Sequence, residues 1–310
     1  MTDLVKYRTL IVGVIFCIST VFLFVSADKA ETSSTSEGGN DAQELYHLPV
    51  PKTLTFAGEK VPLEYFDVRE SLERELISNT YFHSQTIFLL KRIDRYFPLI
   101  ESILKKYGIP EDFKYLAVAE SILNDKAKSP VGAAGVWQIM KGTAQDHGLE
   151  VNSNVDERYN LALATQAACE YLLESYEKYG SWTLVAASYN MGRRALDRSM
   201  DYQKEEDYYD MYLNTETARY LFRILAFKLI IESPEDYHFV IPEEEKFTVF
   251  EFDTIAVDYP IPHLADFAKA HGMNYKTLKI FNPWLLENKL NNASGKAYKI
   301  LKPQKGYRTQ

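Results

Sequence analysis

Two positions carry the chemistry most readily: a carboxyl group at Glu120 and an amide at Gln138. Glu120 interrupts a stretch, Phe113 to Leu123, in which nearly every other residue is apolar or small. A carboxyl group in such surroundings is partly stripped of water, which favours its neutral form and lets it hold a proton near neutrality. That is what a general acid requires. Downstream, Ser129-Pro130 marks a turn, and Gly132-Ala133-Ala134-Gly135 removes side-chain bulk over four residues, so that backbone can approach a ligand closely. Trp137 then offers a flat apolar face and Gln138 a two-way hydrogen-bonding amide. Acid, bare backbone, aromatic face and amide in that order suit a polar ring substrate such as a sugar.

These groups need helices to position them. Pro110-Glu111-Asp112 reads as the start of the helix bearing Glu120, with proline at the first position and acids at the positive end of the dipole. Before it, Val68–Ser78, Gln85–Tyr96 and Pro98–Tyr107 place apolar residues three and four apart. After it, Asn160–Tyr179 is amphipathic and ended by Gly180, Trp182–Tyr189 is short and apolar, and Thr215–Ile231 is strongly apolar. Asp201–Met211, with tyrosines among acids, reads either as one wall of a groove or as a surface loop. No strand pattern of note occurs between residues 60 and 235. The tail differs: Lys246–Val257 and Tyr298–Leu301 alternate like strands around the helical stretches Ile261–His271 and Tyr275–Phe281.

The run from Glu120-Ser121 through Ser129-Pro130-Val131-Gly132-Ala133-Ala134-Gly135-Val136-Trp137-Gln138-Ile139-Met140 resembles the signature of soluble-lytic-transglycosylase-type domains. Val155-Asp156-Glu157-Arg158, Ser188-Tyr189-Asn190-Met191-Gly192 and Glu216 with Tyr220 follow in that family's order, and the likeness spans about Thr80 to Ser233. The tail is faintly similar to a LysM peptidoglycan-binding module without the usual Gly-Asp-Thr-Leu start, which leaves a glycan-binding role and a structural one both open. The resemblance implies a mostly α fold: a lysozyme-like all-helical catalytic domain with a small α+β, LysM-like C-terminal appendage. The expected boundaries are 1–27 for a signal peptide or N-terminal anchor, 28–58 for a flexible linker, 59–240 for the transglycosylase domain and 241–310 for the LysM-like region.

The resemblance also implies a reaction. Ordinary glycosidases place two carboxyl groups across the scissile bond, about 5–5.5 or 6.5–9.5 Å apart. Here only Glu120 has a site-like context; Asp125 and Asp146 read as loop or capping residues and Asp156-Glu157-Arg158 as an ion-pair cluster. One carboxyl group suffices where the substrate supplies the second function. Glu120 would protonate the oxygen between N-acetylmuramic acid and N-acetylglucosamine and then take the proton of the same muramic C6 hydroxyl, closing a 1,6-anhydro ring. By position, Ser121, Gln138, Tyr189, Asn190 and Tyr220 would bind substrate or orient the acid. Leu123, Asp125 and Ser188 depart from residues common in the family at their positions. The rivals are a muramidase that uses water on the same glycan and a non-catalytic wall-binding protein.

Composition bounds the rest. The 310 residues have room for one large domain and a small second one, and 46% hydrophobic content supplies a substantial core. A formal charge of −8 without basic clusters argues against nucleic acid as a partner. None of the six histidines lies in a metal-ligand pattern, so neither metal nor cofactor is expected, and Cys169 reads as a small core residue. Lys6 and Arg8 precede an uncharged run from Thr9 to Ala27 that ends in Val25-Ser26-Ala27. This reads as an export signal or an uncleaved membrane anchor, hence a periplasmic or cell-envelope location with peptidoglycan strands as the partner.

Overall fold

In a computed structural model, residues 48–308 are described, and they form a mostly helical protein with two short antiparallel pairs of strands. The export segment 1–27 and most of the linker lie outside the described residues. Among the described residues no helix is long and apolar enough to cross a membrane.

The chain enters through a hairpin of β1 (Thr55–Phe56) and β2 (Glu59–Lys60). It then builds the helices α1 (Phe66–Tyr81), α2 (His83–Tyr107), α3 (Phe113–Ser121), α4 (Lys141–Asp146), α5 (Leu161–Tyr179), α6 (Trp182–Met191), α7 (Arg193–Gln203) and α8 (Thr215–Glu232). Helix α8 buries a broad apolar face, from Tyr220 and Leu221 through Phe227 to Ile230, and α1, α3 and α6 pack on it. Helices α2 and α5 pack on each other.

Three expectations are corrected here. The linker does not extend to residue 58: Leu54 and Phe56 are buried in the main core, and the hairpin is wired to distant helices. Ala57 and Gly58 both have positive φ, as a tight two-residue turn requires, and Ala57 N–H donates to Asp112 Oδ2 at 2.7 Å. Glu59 accepts from the backbone N–H groups of Trp182 and Thr183 at the start of α6, a carboxylate on the positive end of a helix. Sparse apolar residues hid this segment in the sequence, because its contacts are more than fifty residues away. Second, α3 begins at Phe113, not at Pro110. The Asp112 carboxylate is engaged by Ala57 and by Lys228 Nζ at 2.7 Å, and residues 110–112 form a turn. Third, α2 runs unbroken through Pro98. The proline faces solvent while Phe97 and Ile100 on either side are buried, and this packing outweighs the lost backbone bond.

The C-terminal module pairs β3 (Phe252–Val257) with β4 (Tyr298–Pro303), from Phe252 opposite Pro303 to Val257 opposite Tyr298. Helices α9 (Leu264–Ala270) and α10 (Tyr275–Phe281) complete it around Leu264, Leu278, Trp284 and Ile300. The expected strand over Lys246–Val257 starts only at Phe252. The preceding residues run along α2 instead: Phe247 N–H bonds the Lys91 carbonyl at 2.7 Å, and the Arg95 guanidinium lies 4.4 Å from the Phe250 ring.

Besides this contact with α2, the module is fastened to the helical domain at one short segment, residues 150–157. Val155 is part of the module's core, and Asp156 N–H bonds the Trp284 carbonyl at 3.0 Å. Lys296 Nζ reaches Glu157 at 2.6 Å and Glu150 at 3.2 Å, while Tyr298 donates to Glu150 at 2.7 Å. Glu157 is buried, so its charge needs this cation. Lys296→Met is expected to lower stability by about 1–2 kcal/mol, half-exposed as the lysine is. Urea unfolding checks this, and an unchanged midpoint would show the contact to be idle.

Candidate active site

Helix α3 delivers Glu120 in its last turn and then stops abruptly. Ile122 and Leu123 both adopt left-handed backbone, with φ of 52° and 53°. Two consecutive such residues, one of them β-branched, are strained. They are held by burial of Leu123 and by Arg92 Nη1, which donates to the Ile122 carbonyl at 3.0 Å. The turn ends the helix one residue after Ser121 and leaves the Glu120 carboxyl group partly buried.

Glu120 has no ion pair among the described residues. Its hydrogen-bond partner is the Tyr220 hydroxyl, which donates to Oε1 from the core of α8. Burial pushes the carboxyl group up to about 7 from an ordinary 4.5. The Tyr220 hydrogen bond and the charge of Arg223 pull the other way, and Glu216 adds to the rise. The group is therefore poised to hold and release a proton near neutral pH.

Of the other expected residues, Tyr189 lies within reach of the Glu120 charge, whereas Ser121, Gln138 and Asn190 are bonded to neighbouring segments. Ser121 Oγ donates to the Val136 carbonyl at 2.7 Å, tying the end of α3 to the glycine-containing loop. Tyr189 donates to the Trp137 carbonyl at 2.8 Å, and its own hydroxyl is held well above its ordinary value by burial and by the nearby charge of Glu120. Gln138, at φ 47°, donates from Nε2 to the Gly135 carbonyl at 2.8 Å, and no described residue donates to its Oε1. Asn190 accepts from Thr217 Oγ1 at 2.8 Å, joining α6 to α8. Helices α3, α6 and α8 thus meet at the carboxyl group, and loop 132–140 is tied to α3 and α6 through Ser121 and Tyr189.

Two features read from the sequence as ligand-facing are structural. Trp137 is fully buried, its indole N–H bonded to Thr165 Oγ1 at 2.8 Å, and it presents no face to a sugar. At Gly135 the close approach is to the chain's own backbone: a Cβ there would stand 2.0 Å from the Arg158 carbonyl oxygen. The Asp156-Glu157-Arg158 cluster is what holds this loop. Arg158 makes paired bonds to Asp156 at 2.9 and 2.8 Å and donates from Nη1 to the carbonyls of Gly132 and Ile139 at 2.8 and 3.0 Å. Cys169 is buried and its thiol is pushed up to about 12, so it is chemically quiet.

Glu216 and Arg223 were not singled out from the sequence as acting on Glu120, although a signal was present. Positions 216, 219, 220 and 223 follow the i, i+3, i+4, i+7 rule and share one face of α8 with Tyr220. A cavity of about 1290 Å³ lies between the helical domain and the C-terminal module, with Arg92, Tyr96, Asp125, Phe250 and Trp284 but not Glu120 in its walls. The chemistry-bearing cluster is better identified by its perturbed carboxyl group than by cavity size. Among the described residues no group of three or more His, Cys, Asp or Glu could hold a metal ion.

Residues 98–212 match the family described as Transglycosylase SLT domain, and residues 253–306 the Soluble lytic transglycosylase C-terminal LysM-like domain. The two matches follow one another along the chain in that order. Among individual proteins it is similar to Membrane-bound lytic murein transglycosylase D of Escherichia coli (strain K12), 27% identical over 243 residues that cover 77% of this chain and 52% of the relative. It is also similar to Membrane-bound lytic murein transglycosylase F of Serratia proteamaculans (strain 568), 30% identical over 119 residues, 36% of this chain and 24% of that one. The chain spans about half the length of the first of these relatives. A solved structure, the 70 kDa soluble lytic transglycosylase SLT70 from Escherichia coli, aligns with a TM-score of 0.39 and 24% identity over 45% of this chain and 24% of that chain.

Proposed function

We propose that this protein is a lytic transglycosylase that cuts the β-1,4 bond between N-acetylmuramic acid and N-acetylglucosamine in peptidoglycan and leaves a 1,6-anhydro-N-acetylmuramic acid end. The observation that carries the reading is Glu120: a partly buried carboxyl group, free of any ion pair among the described residues, raised to about 7 and steered by the Tyr220 hydroxyl. The SLT and LysM-like domains and the murein transglycosylases it resembles support the substrate class.

In this reading Glu120 donates its proton to the glycosidic oxygen as the bond to muramic C1 breaks, and the muramic acetamido group stabilises the cation that develops. The Glu120 carboxylate then accepts the C6 hydroxyl proton while that oxygen bonds C1. The acid is regenerated, and no water is consumed. A group titrating near neutrality can play both parts, and the attacking hydroxyl is already tethered to the reacting ring. Tyr220 holds the carboxyl group in place. Gln138 Oε1 and the Asn190 amide nitrogen are the polar atoms offered to the sugar, with Tyr189 and Ser121 bracing the loop beside them.

Digestion of purified peptidoglycan followed by mass spectrometry of the soluble fragments tests the reaction. Products one water lighter than hydrolytic ones are expected; reducing ends alone would establish the muramidase alternative. That alternative has one observation in its favour, the charge of Glu216, a second carboxylate in electrostatic reach of Glu120. Tyr220→Phe should lower turnover about 10- to 100-fold. Because its hydroxyl favours the ionised acid, its loss should also move the alkaline limb of the pH–rate profile upward. A limb that moves downward would remove Tyr220 from this role. Export to the cell envelope, with membrane association through residues 9–27, belongs to the same reading and agrees with the membrane-bound relatives.

A further inference from the structure

Glu75 is an acid in an unusual place. It lies on α1 with 1% of its surface exposed, facing the polar stripe of α8. Its Oε1 receives Arg219 Nε at 2.6 Å, and Arg223 Nε stands 3.7 Å from its Oε2. A third cation, Arg74, lies 3.6 Å away from the side of α1. Arg223 is held from its other end by Glu216, Nη1 to Oε1 at 3.0 Å. One guanidinium is therefore clamped between a buried carboxylate and an exposed one. Tyr220, which touches Glu120, is the next residue toward the N-terminus on the same stripe.

The clamp has a direct electrostatic meaning. A free cation beside Glu120 would favour its carboxylate and drain the proton that a general acid must hold. The titratable and charged groups that face Glu120 are Tyr189 from α6 and Glu216, Tyr220 and Arg223 from α8. Asp125, in the loop after α3, answers to Lys126, Arg92 and Arg95 instead. Arg223 is thus the cation acting on the acid, and its position and effective charge are set by Glu75 and Glu216.

We infer that Arg223 is a positioning residue whose restraint by Glu75 and Glu216 sets how readily Glu120 gives up its proton. The inference rests on Glu120 being the acid proposed above. Glu75 anchors the cation from behind, out of reach of solvent and salt, whereas Glu216 meets it at the surface. Packing of α1 on α8 is in this way coupled to the chemistry.

The test uses the full chain and two readouts: the pH–rate profile for release of anhydro-muropeptides, and the titration of the Glu120 carboxyl carbon followed by NMR. Glu75→Gln and Glu216→Gln should each shift the midpoint downward by about half a pH unit, which lowers the rate on the alkaline limb about threefold relative to the acid side. Arg223→Gln should shift it upward by a similar amount, and Arg223→Lys should leave it near the wild-type value. Opposite displacements on removing the cation and on removing its anions are the signature. A purely structural role would change amplitude at every pH and leave the midpoint fixed. Unmoved midpoints, or displacement of all variants in one direction, would overturn the inference. Glu216 is exposed and also acts on Glu120 directly. If Glu75→Gln does not fold, Glu216→Gln is therefore compared with and without Arg223→Gln: a smaller displacement without the cation supports the clamp, and an equal one overturns it. The NMR arm separates the two proposals: a wild-type protein that releases no anhydro products fails the reaction, whereas fixed midpoints fail the clamp.

Discussion

Glu120→Gln should abolish release of anhydro-muropeptides and at the same time make the protein more stable at alkaline pH. The loss of activity follows from the acid's two parts in the cycle, since an amide can neither donate the proton to the leaving oxygen nor take one from the C6 hydroxyl. A decrease of about 10²–10⁴-fold is expected. The gain in stability follows from the cost of ionising a buried carboxyl group. Raised from 4.5 to about 7, Glu120 binds its proton more tightly in the folded state than in the unfolded one. Its contribution to stability is therefore complete below about 4.5 and is lost as pH rises through about 7, up to about 3 kcal/mol in all. Glutamine never ionises. At pH 8 the variant should melt several degrees above the wild type, and at pH 4.5 the two should coincide. Calorimetry at the two pH values decides it: a difference that does not depend on pH would mean the carboxyl group is not held protonated by its surroundings.

The second large effect belongs to a glycine. Gly135→Ala places a methyl group 2.0 Å from the Arg158 carbonyl oxygen and 2.9 Å from its carbonyl carbon, at a φ of +77°. Neither side can give way freely. Arg158 is pinned by Asp156 and by two carbonyls of the loop that Gly135 occupies, so relief of the clash breaks a buried guanidinium's bonds. A loss of about 3–5 kcal/mol is expected. Gly132→Ala in the same loop is the control, because nothing lies within 4 Å of its Cβ. Only the left-handed backbone is penalised there, at about 1–2 kcal/mol. Equal urea midpoints for the two variants would show that the contact with Arg158 is not what makes Gly135 necessary.

The setting of Glu120 was legible in the sequence because it is local. The apolar neighbours of Glu120 lie within one helix, and burial of that helix is what raises the carboxyl group. The long helix α5 was legible for the same reason, with Asn160 capping one end and Gly180 closing the other. What could not be read depends on partners far along the chain. Trp137 looks like a binding surface until Thr165 is seen to take its N–H. Residues 48–58 look like tether until Asp112 and Lys228 are seen to hold Ala57 and Thr55. Glu75 sits within an unremarkable helical pattern, and only the packing of α1 on α8 brings it to Arg219 and Arg223.

The Val155–Arg158 segment serves two masters. Its first half is threaded into the C-terminal module through Val155 and the Trp284 carbonyl, and its second half grips the loop that carries Gln138. A truncation before residue 250, the obvious way to make a minimal fragment for crystallisation or engineering, would remove the wall against which that grip is braced. Grafting another module in its place would likewise have to replace Trp284, Lys296 and Tyr298 in kind.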